Sequence, residues 1–469
     1  MTFSGFPFLL GFLPLLLCGY VLFSRLGAGW LKIWLIAASL LFYGASAAAF
    51  LPLLILSVCG NFILLRAMHL SVVAGRWAAF GVAFNLLVLG WFKYGGADPL
   101  PPLGLSFFTF TQIGCLLHHA AGDTRPPKLR DFALFAAFFP ALLAGPILNP
   151  REMLPQFART QDWQFTAGNV AVGSGFFLIG LLKKTLLADP LSTIVTAGFA
   201  DPAHLTLFPA WQATTAYSLR LYFDFSGYTD MAIGLAWMVG LRFPDNFQQP
   251  YRAASIIAYW QCWHMSLTRF LMTNVHAPLT MAIMRRRRDH LRPIDAAGQR
   301  TIAGFLAMIA APVGVTMVLV SLWHGATIPF LLFGLLHTLF LLINHAWRLA
   351  GKAVLPQAAS VVLTYLCVLA GSVFFRATSA SDAASMLAGM AGLHGTGAIE
   401  PDIRAAVDVV WLVSLYAIVW LAPTTRQWMQ GEARFAWKPS PRWAVAMGCA
   451  ATLGLLAAGG SSEFLYFRF

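Results

Sequence analysis

The sequence predicts an all-α, polytopic membrane protein, and three observations support that fold class. Of the 469 residues, 59% are hydrophobic and only 10% are charged, against about a quarter charged in soluble domains. Apolar segments approaching the roughly 20 residues of a membrane-spanning helix follow one another along the chain. Arginine and lysine gather in the short segments between them, as in loops retained in the cytoplasm.

The apolar segments give an upper bound on the number of spans. Several are short or interrupted, such as Leu103–Ala121 with its polar Thr109, Gln112 and His118. Such segments are typical of re-entrant helices or of helices buried in protein. We therefore expect about 11–13 membrane-embedded helices, some of them incomplete. The candidate spans are 5–24, 31–46, 49–68, 77–93, 103–121, 132–148, 168–188, 206–222, 226–241, 253–284, 301–323, 326–346, 358–375, 405–422 and 443–460.

Basic residues between the spans predict the orientation. A net charge of +13 also occurs in nucleic-acid-binding proteins, but in so apolar a chain the positive-inside bias explains it better, and we expect no nucleic-acid partner. The segment 285–300 carries six arginines and two aspartates and is placed in the cytoplasm; an alternative role for it is docking an anionic cytosolic donor such as coenzyme A. Lys183 and Lys184, and the cluster of Arg125, Lys128 and Arg130, suggest further cytoplasmic contacts.

The chain start and the cysteines exclude other classes. Residues 1–25 have no basic segment before their apolar run, so we interpret them as a first span rather than a cleaved signal peptide. The six cysteines lie singly, mostly in apolar segments, which indicates neither a metal site nor a disulfide framework. The sequence shows no internal repeat of the kind that secondary transporters have.

The segment Ser321–His337 carries the first candidate site. Two histidines, His324 and His337, lie in apolar surroundings, where an ionisable side chain is costly and usually functional. His324 is the stronger candidate, because Gly325 and Pro329 allow the helix to bend or end there and the imidazole to line a central tunnel. The alternative is a histidine hydrogen-bonded between packed helices.

A second polar stretch runs from Tyr222 to His264. Asp224 and Tyr228, and likewise Ser226 and Asp230, are four residues apart and share a helix face. Their carboxylates must be paired, neutralised or hydrated at such depth, so a structural role is favoured over direct catalysis. Gly227, Gly234 and Gly240 would permit close approach of helices.

An aromatic stripe then surrounds a histidine. Residues 242–251 are predicted to form a loop because of their two prolines and Asp-Asn. After it, Trp260, Trp263, His264 and Leu267 have the spacing of one helix face. Such a stripe is often only packing, but a histidine at its centre, with another intramembrane histidine later in the chain, favours a site.

These motifs together resemble the membrane-bound O-acyltransferase (MBOAT) family, in its bacterial branch of alginate O-acetylation proteins and teichoic acid D-alanyl transferases. The resemblance covers nearly the whole chain. It implies one transmembrane domain over 1–469, with a signature core at about 90–346 and peripheral C-terminal helices in 354–469. The matching stretches are Leu31–Tyr43, Phe92–Tyr94, Leu103–Phe110, Phe138–Pro146, Gly180–Asp189, Tyr222–Gly234, Phe243–Phe247, Trp263–Leu267, Trp323–Ala326 and Glu463–Phe469.

The resemblance also implies roles for residues. His324 matches the essential histidine of the family and His264 its second histidine; Trp323, Trp263, Tyr228, Asp230, Asp224 and Ser226 are the further candidates for lining the tunnel and contacting substrate. Two stretches depart from the family pattern. Gln261 and Cys262 stand where two arginines are usual, and Ala277–Thr280 replaces the usual Leu-Gly-Gly run.

The implied activity is acyl transfer from a cytosolic thioester, with acetyl-CoA or another acyl thioester as donor substrate, to a hydroxyl of an exopolysaccharide or cell-wall glycan. We expect no bound cofactor. We do expect periplasmic partner proteins and a place in the bacterial inner membrane. Neutral imidazole suits the task, because an alcohol is a poor nucleophile near pH 7 and needs a base. Two alternatives stay open: D-alanyl transfer from a carrier protein to a cell-envelope polymer, and a non-enzymatic transporter.

Overall fold

The computed structural model describes residues 1–95, 102–122, 125–160, 163, 165–351, 355–397, 403–434, 436–459 and 464–465. These residues form helices joined by turns and loops, and none of them lies in a β-strand, so the predicted all-α class is confirmed. The chain ending that contributes to the family resemblance, Glu463–Phe469, lies outside the described residues except for Phe464 and Leu465.

Helices of very different lengths follow one another along the chain. The first nine are α1 Leu13–Leu26, α2 Ala28–Ala47, α3 Leu51–Leu70, α4 Ala74–Tyr94, α5 Leu105–Ala120, α6 Leu129–Ala137, α7 Phe139–Leu142, α8 Pro150–Ala158 and α9 Ala167–Leu182. The next nine are α10 Ser192–Gly198, α11 Leu207–Met238, α12 Ile256–Cys262, α13 Met265–Leu271, α14 Ala277–Asp289, α15 Ala296–Arg300, α16 Ile302–Phe305, α17 Ala311–His324 and α18 Ile328–Leu349. The last five are α19 Gln357–Arg376, α20 Ala380–Met390, α21 Ile403–Leu421, α22 Thr425–Met429 and α23 Pro441–Ala458.

Several of these helices are long and apolar enough to cross a bilayer. Within the described residues eight segments meet both requirements, which makes the chain a multi-pass membrane protein. The expected total of about 11–13 embedded helices includes shorter ones, and that total and the central tunnel stay predictions. The eight segments are Pro7–Leu26, Ala28–Leu70, Ala74–Tyr94, Ala167–Gly198, Ile302–His324, Ile328–Leu349, Gln357–Arg376 and Pro441–Ala458.

The chain divides into two compact units. The first comprises Met1–Leu186, Phe223–Asp245 and the described residues from Pro423 onwards; the second comprises Leu187–Tyr222 and Asn246–Ala422. Helix α11 begins in the second unit and ends in the first. The expectation of one domain over 1–469 stays a prediction.

Helix α11 corrects one prediction. The spans expected at 206–222 and 226–241 are a single helix of 32 residues, because the polar side chains between them are buried rather than placed in a turn. In the first unit, α9 packs closely against the second half of α11. A Cβ atom on Gly227 would lie 2.7 Å from the Gly180 carbonyl oxygen, and one on Gly234 would lie 2.5 Å from that of Gly173. Small residues at these positions therefore let the two backbones meet, as expected, whereas Gly240 lies in the turn after α11 with φ of +85°.

Two ion pairs, formed by Lys183 and Lys184 just after α9, also join this part of the chain to α11. Both lysines lie inside the continuous helical segment Ala167–Gly198, in agreement with the span expected at 168–188; their cytoplasmic contacts stay a prediction. Lys184 Nζ lies 2.7 Å from a carboxylate oxygen of Asp224, and the two side chains are only 4% and 1% exposed. Lys183 Nζ lies 2.6 Å from Asp230, which also accepts a 2.6 Å hydrogen bond from the Thr425 hydroxyl. The structural role favoured for these carboxylates follows from this pairing.

Candidate active site

A break in the backbone positions His264 in the second unit. The Ser255 side chain caps α12 by accepting from the Ala258 amide at 3.2 Å, and α12 ends at Cys262. His264 then adopts the left-handed conformation, with φ of 43° and ψ of 52°, immediately before α13. The expected helix face of Trp260, Trp263, His264 and Leu267 is therefore wrong. A non-glycine residue in this conformation is uncommon and concentrates at functional sites.

Asn246 holds this break in place. Its backbone carbonyl accepts from the Met265 amide at 3.0 Å, and the neighbouring Gln248 amide donates to the Cys262 carbonyl at 3.0 Å. Its side-chain oxygen accepts from the amide and the hydroxyl of Ser266 at 3.1 and 2.9 Å. Residues 246–248 are thus tied to both sides of the break.

The same amide oxygen orients the His264 ring. His264 Nδ1 lies 3.2 Å from Asn246 Oδ1, and an amide oxygen is only an acceptor, so Nδ1 carries the hydrogen. In the neutral ring the lone pair is then on Nε2. Since His264 is 1% exposed, its orientation and tautomer are set by the protein rather than by bulk water.

The end of α17 positions His324. The helix ends at His324, Gly325 follows with φ of 169°, and α18 begins at Ile328 with a proline in its first turn. This confirms the expected interruption between Gly325 and Pro329. His324 is 6% exposed, and its ring packs against three phenylalanines. The ring centroids lie 4.6 Å from Phe375, 5.9 Å from Phe330 and 6.4 Å from Phe333.

Trp323 brings the two histidines into one site. Its ring centroid lies 5.8 Å from that of His264, in an edge-on arrangement, and 4.4 Å from that of His324. One buried indole therefore contacts both imidazoles, although the histidines are 60 residues apart in sequence. A neutral imidazole in such a place accepts a proton or fixes a hydroxyl by hydrogen bonding.

The other predicted residues fall in two places. Trp263 is near the histidines and is 6% exposed; it packs against Phe247 at 5.1 Å and Tyr259 at 5.8 Å between ring centroids. The remaining four, Asp224, Ser226, Tyr228 and Asp230, belong to the first unit. There the Tyr228 ring stacks between Phe3 at 4.8 Å and Phe464 at 4.6 Å, and the two aspartates pair with lysines. Their contact with substrate stays a prediction.

Two residues near the site received no specific role from the sequence, although His337 was the weaker candidate of the segment Ser321–His337. Asn246 was visible only as part of a Pro-Asp-Asn loop, and its partner is 18 residues away. His337 is 2% exposed, and its ring lies 4.6 Å from Phe333 and 5.3 Å from Trp260. A Cβ atom on Gly371 would lie 2.3 Å from His337 Nε2, so only a glycine of α19 fits against this ring.

The role of Asn246 leads to a test. In Asn246→Leu, His264 loses the acceptor that fixes its tautomer, and we expect acyl-transfer activity to fall about tenfold or more, since an unpaired buried group costs about 1–3 kcal/mol. Asn246→Asp keeps an acceptor oxygen and should retain more activity. The measurement is the transfer rate per amount of membrane protein. Equal rates for the leucine and aspartate variants would contradict the orienting role.

The chain is similar to a known class of membrane enzymes. The chain matches the model of the MBOAT, membrane-bound O-acyltransferase family, over residues 76–290, a range that includes Asn246 and His264. It is similar to a peptidoglycan O-acetyltransferase of Helicobacter pylori, 31% identical over 437 residues, covering 83% of this chain and 79% of that protein. It is similar to a probable alginate O-acetylase AlgI of Azotobacter vinelandii, 36% identical over 419 residues, covering 83% and 78%.

A more distant similarity extends to a teichoic acid D-alanyltransferase of Streptococcus thermophilus, 24% identical over 256 residues, covering 54% of this chain and 59% of that protein. The family match and the more similar relatives show that this multi-pass helical membrane protein is an O-acyltransferase. The chain belongs to the membrane-bound O-acyltransferase family, which confirms the resemblance of its motifs. The transporter alternative has no support from any of these relatives.

Proposed function

We propose that this enzyme transfers an acetyl group from a cytosolic thioester, acetyl-CoA, to a hydroxyl of a polysaccharide or cell-wall glycan outside the cytoplasm. The main support for the proposal is that the imidazole rings of His264 and His324 both pack against the buried indole of Trp323. The relatives support acetyl as the transferred group and a glycan as the acceptor, because the more similar ones are named as O-acetylating proteins of alginate and peptidoglycan.

In the proposed reaction His324 is the general base. Its imidazole accepts the proton of the acceptor hydroxyl while the oxygen attacks the thioester carbonyl carbon. The new C–O bond forms, the C–S bond breaks, and the proton passes to the leaving thiolate. His264, held by Asn246 in one tautomer, positions the hydroxyl or the carbonyl through Nε2. The phenylalanines around His324 exclude bulk water and so limit hydrolysis of the thioester.

The membrane geometry supports donor and acceptor on opposite sides. The arginine-rich segment 285–300 is assigned to the cytoplasm by the positive-inside bias. From there Ile302–His324 has 23 residues, enough at about 1.5 Å each to cross the roughly 30 Å hydrocarbon core. We infer that an acceptor reaches His324 from the periplasmic side of the bacterial inner membrane. Periplasmic acetylation proteins are the proposed partners.

D-alanyl transfer from a carrier protein is the second candidate. It is favoured only by the more distant relatives, which are named teichoic acid D-alanyltransferases. Acetyl transfer is preferred because the O-acetylases are more similar and cover more of the chain.

Mass analysis of surface glycans tests the proposal. Cells that carry the gene should have acetyl esters on a surface glycan; a deletion strain should lack them, and the wild-type gene should restore them. A deletion that removes D-alanyl esters instead would overturn the acetyl assignment in favour of the second candidate. A deletion that changes neither ester would contradict transfer to surface glycans.

A further inference from the structure

A separate cavity lies in the first unit, among α3, α5, α6 and α8. Its volume is about 540 Å³, within the usual range for small-molecule sites. Apolar side chains such as Leu65 and Leu154 form part of its lining. The titratable and charged residues that line it, within the described part of the chain, are His118, His119, Arg125, Asp131 and Arg151.

The charge balance of this cavity is positive. Among the described residues its single acidic lining residue is Asp131, which is 5% exposed and forms an ion pair with Lys32, itself 9% exposed. The carboxylate is thereby neutralised, while Arg125 and Arg151 each contribute a permanent positive charge. An anion entering the cavity therefore meets two guanidinium groups and no uncompensated carboxylate among these lining residues.

Local contacts order the cationic side. Arg151 Nε donates to His118 Nδ1 at 3.2 Å, which fixes the direction of the guanidinium. Arg151 also lies in the first turn of α8, a helix of nine residues whose amino-terminal end carries partial positive charge. The ring of His119, which also lines the cavity, lies 6.1 Å from that of His69 on α3. Planar guanidinium groups near helix ends are suited to bind phosphate oxygens.

The positive-inside bias assigns the cavity to the cytoplasmic side. Its lining includes the end of α5, the segment before α6 and the start of α8. The segment before α6 carries Arg125 and Lys128, and α6 begins beside Arg130. Such a concentration of basic residues at helix ends is typical of cytoplasmic loops.

We propose that this cavity binds a phosphate group from the cytoplasmic side, carried either by a soluble phosphate compound or by an anionic lipid headgroup. Arg125 and Arg151 hold the phosphate oxygens, His118 orients Arg151, and the Lys32–Asp131 pair keeps the interior free of net negative charge. The proposal does not depend on the acyl-transfer assignment, because binding to this cavity is measured without turnover.

The test uses the purified full-length protein in lipid nanodiscs, with ADP as the soluble probe and adenosine as its uncharged counterpart. We expect ADP to bind and adenosine not to bind. Binding of ADP should be about tenfold or more weaker in the Arg125→Gln/Arg151→Gln variant, and weaker at high salt. The matched control, Arg76→Gln/Arg442→Gln, removes the same charge from exposed positions outside the cavity and should bind as the wild type does.

A second arm distinguishes the source of the phosphate. The unfolding temperature is compared in nanodiscs of phosphatidylcholine with and without phosphatidic acid, for the wild type and both double variants. If only phosphatidic acid stabilises the wild type, and the Arg125→Gln/Arg151→Gln variant loses that effect, the phosphate is that of a lipid. If neither ADP nor phosphatidic acid distinguishes this variant from the wild type, the proposal is overturned.

Discussion

His324→Ala is expected to abolish acyl transfer while the protein remains in the membrane at its normal level. The substitution removes the proposed base, and a positioned base contributes about 10²–10⁴-fold to such a reaction. The side chain lies at the end of a helix and packs against phenylalanines that also contact one another, so the fold should survive its loss. The measurement is the acetyl-ester content of surface glycans, with protein quantified in the membrane fraction.

The control for this variant is His290→Ala, which truncates an exposed histidine after α14. It should leave glycan acetylation unchanged. Normal acetylation in His324→Ala, at equal protein level, would refute the assignment of the base.

Lys184→Met is expected to cause the largest loss of stability. It removes the partner of Asp224, whose other side-chain oxygen accepts from the Leu465 amide at 2.9 Å. Breaking one partner of a buried ion pair leaves an uncompensated charge, at a cost of about 3–5 kcal/mol. The measurement is the unfolding temperature of the purified protein and its amount in the membrane.

Removing both charges gives the informative comparison. In Lys184→Met/Asp224→Leu no unpaired charge remains from this pair, so most of the stability lost in the single variant should return. Lys128→Met, at an exposed position, should have little effect. A single variant as stable as the wild type would show that the pair does not hold the helical segment Ala167–Gly198 to α11.

The two histidines of the candidate site could be predicted from the sequence because ionisable residues are conspicuous in apolar surroundings. His324 lies just before Gly325 and Pro329, and α17 ends at His324 as that pattern predicts. The same reasoning identifies His264, but it does not predict the left-handed backbone conformation of that residue. The aromatic spacing around it fits a helix, and only the folded loop shows Asn246 drawing the chain into the left-handed conformation.

The features that the sequence did not predict have a common physical cause, which is pairing between distant segments. Adjacent lysines in a span are expensive alone, and the sequence does not show which groups pair with Lys183 and Lys184. Their carboxylate partners lie on α11, some 40 residues later, and are identifiable only once the helices are packed. Likewise α11 runs through its polar residues because buried partners satisfy them, whereas hydropathy alone divides it into two spans.

The most direct test of the central claim is the transfer of labelled acetyl groups from acetyl-CoA to a glycan acceptor by purified protein in lipid. The wild type and His324→Ala are compared after their unfolding temperatures have been shown to be equal, so that a difference in rate reflects the imidazole and not stability. We expect labelled ester with the wild type and no more than the enzyme-free background with the variant. Equal rates of ester formation would contradict catalysis by His324.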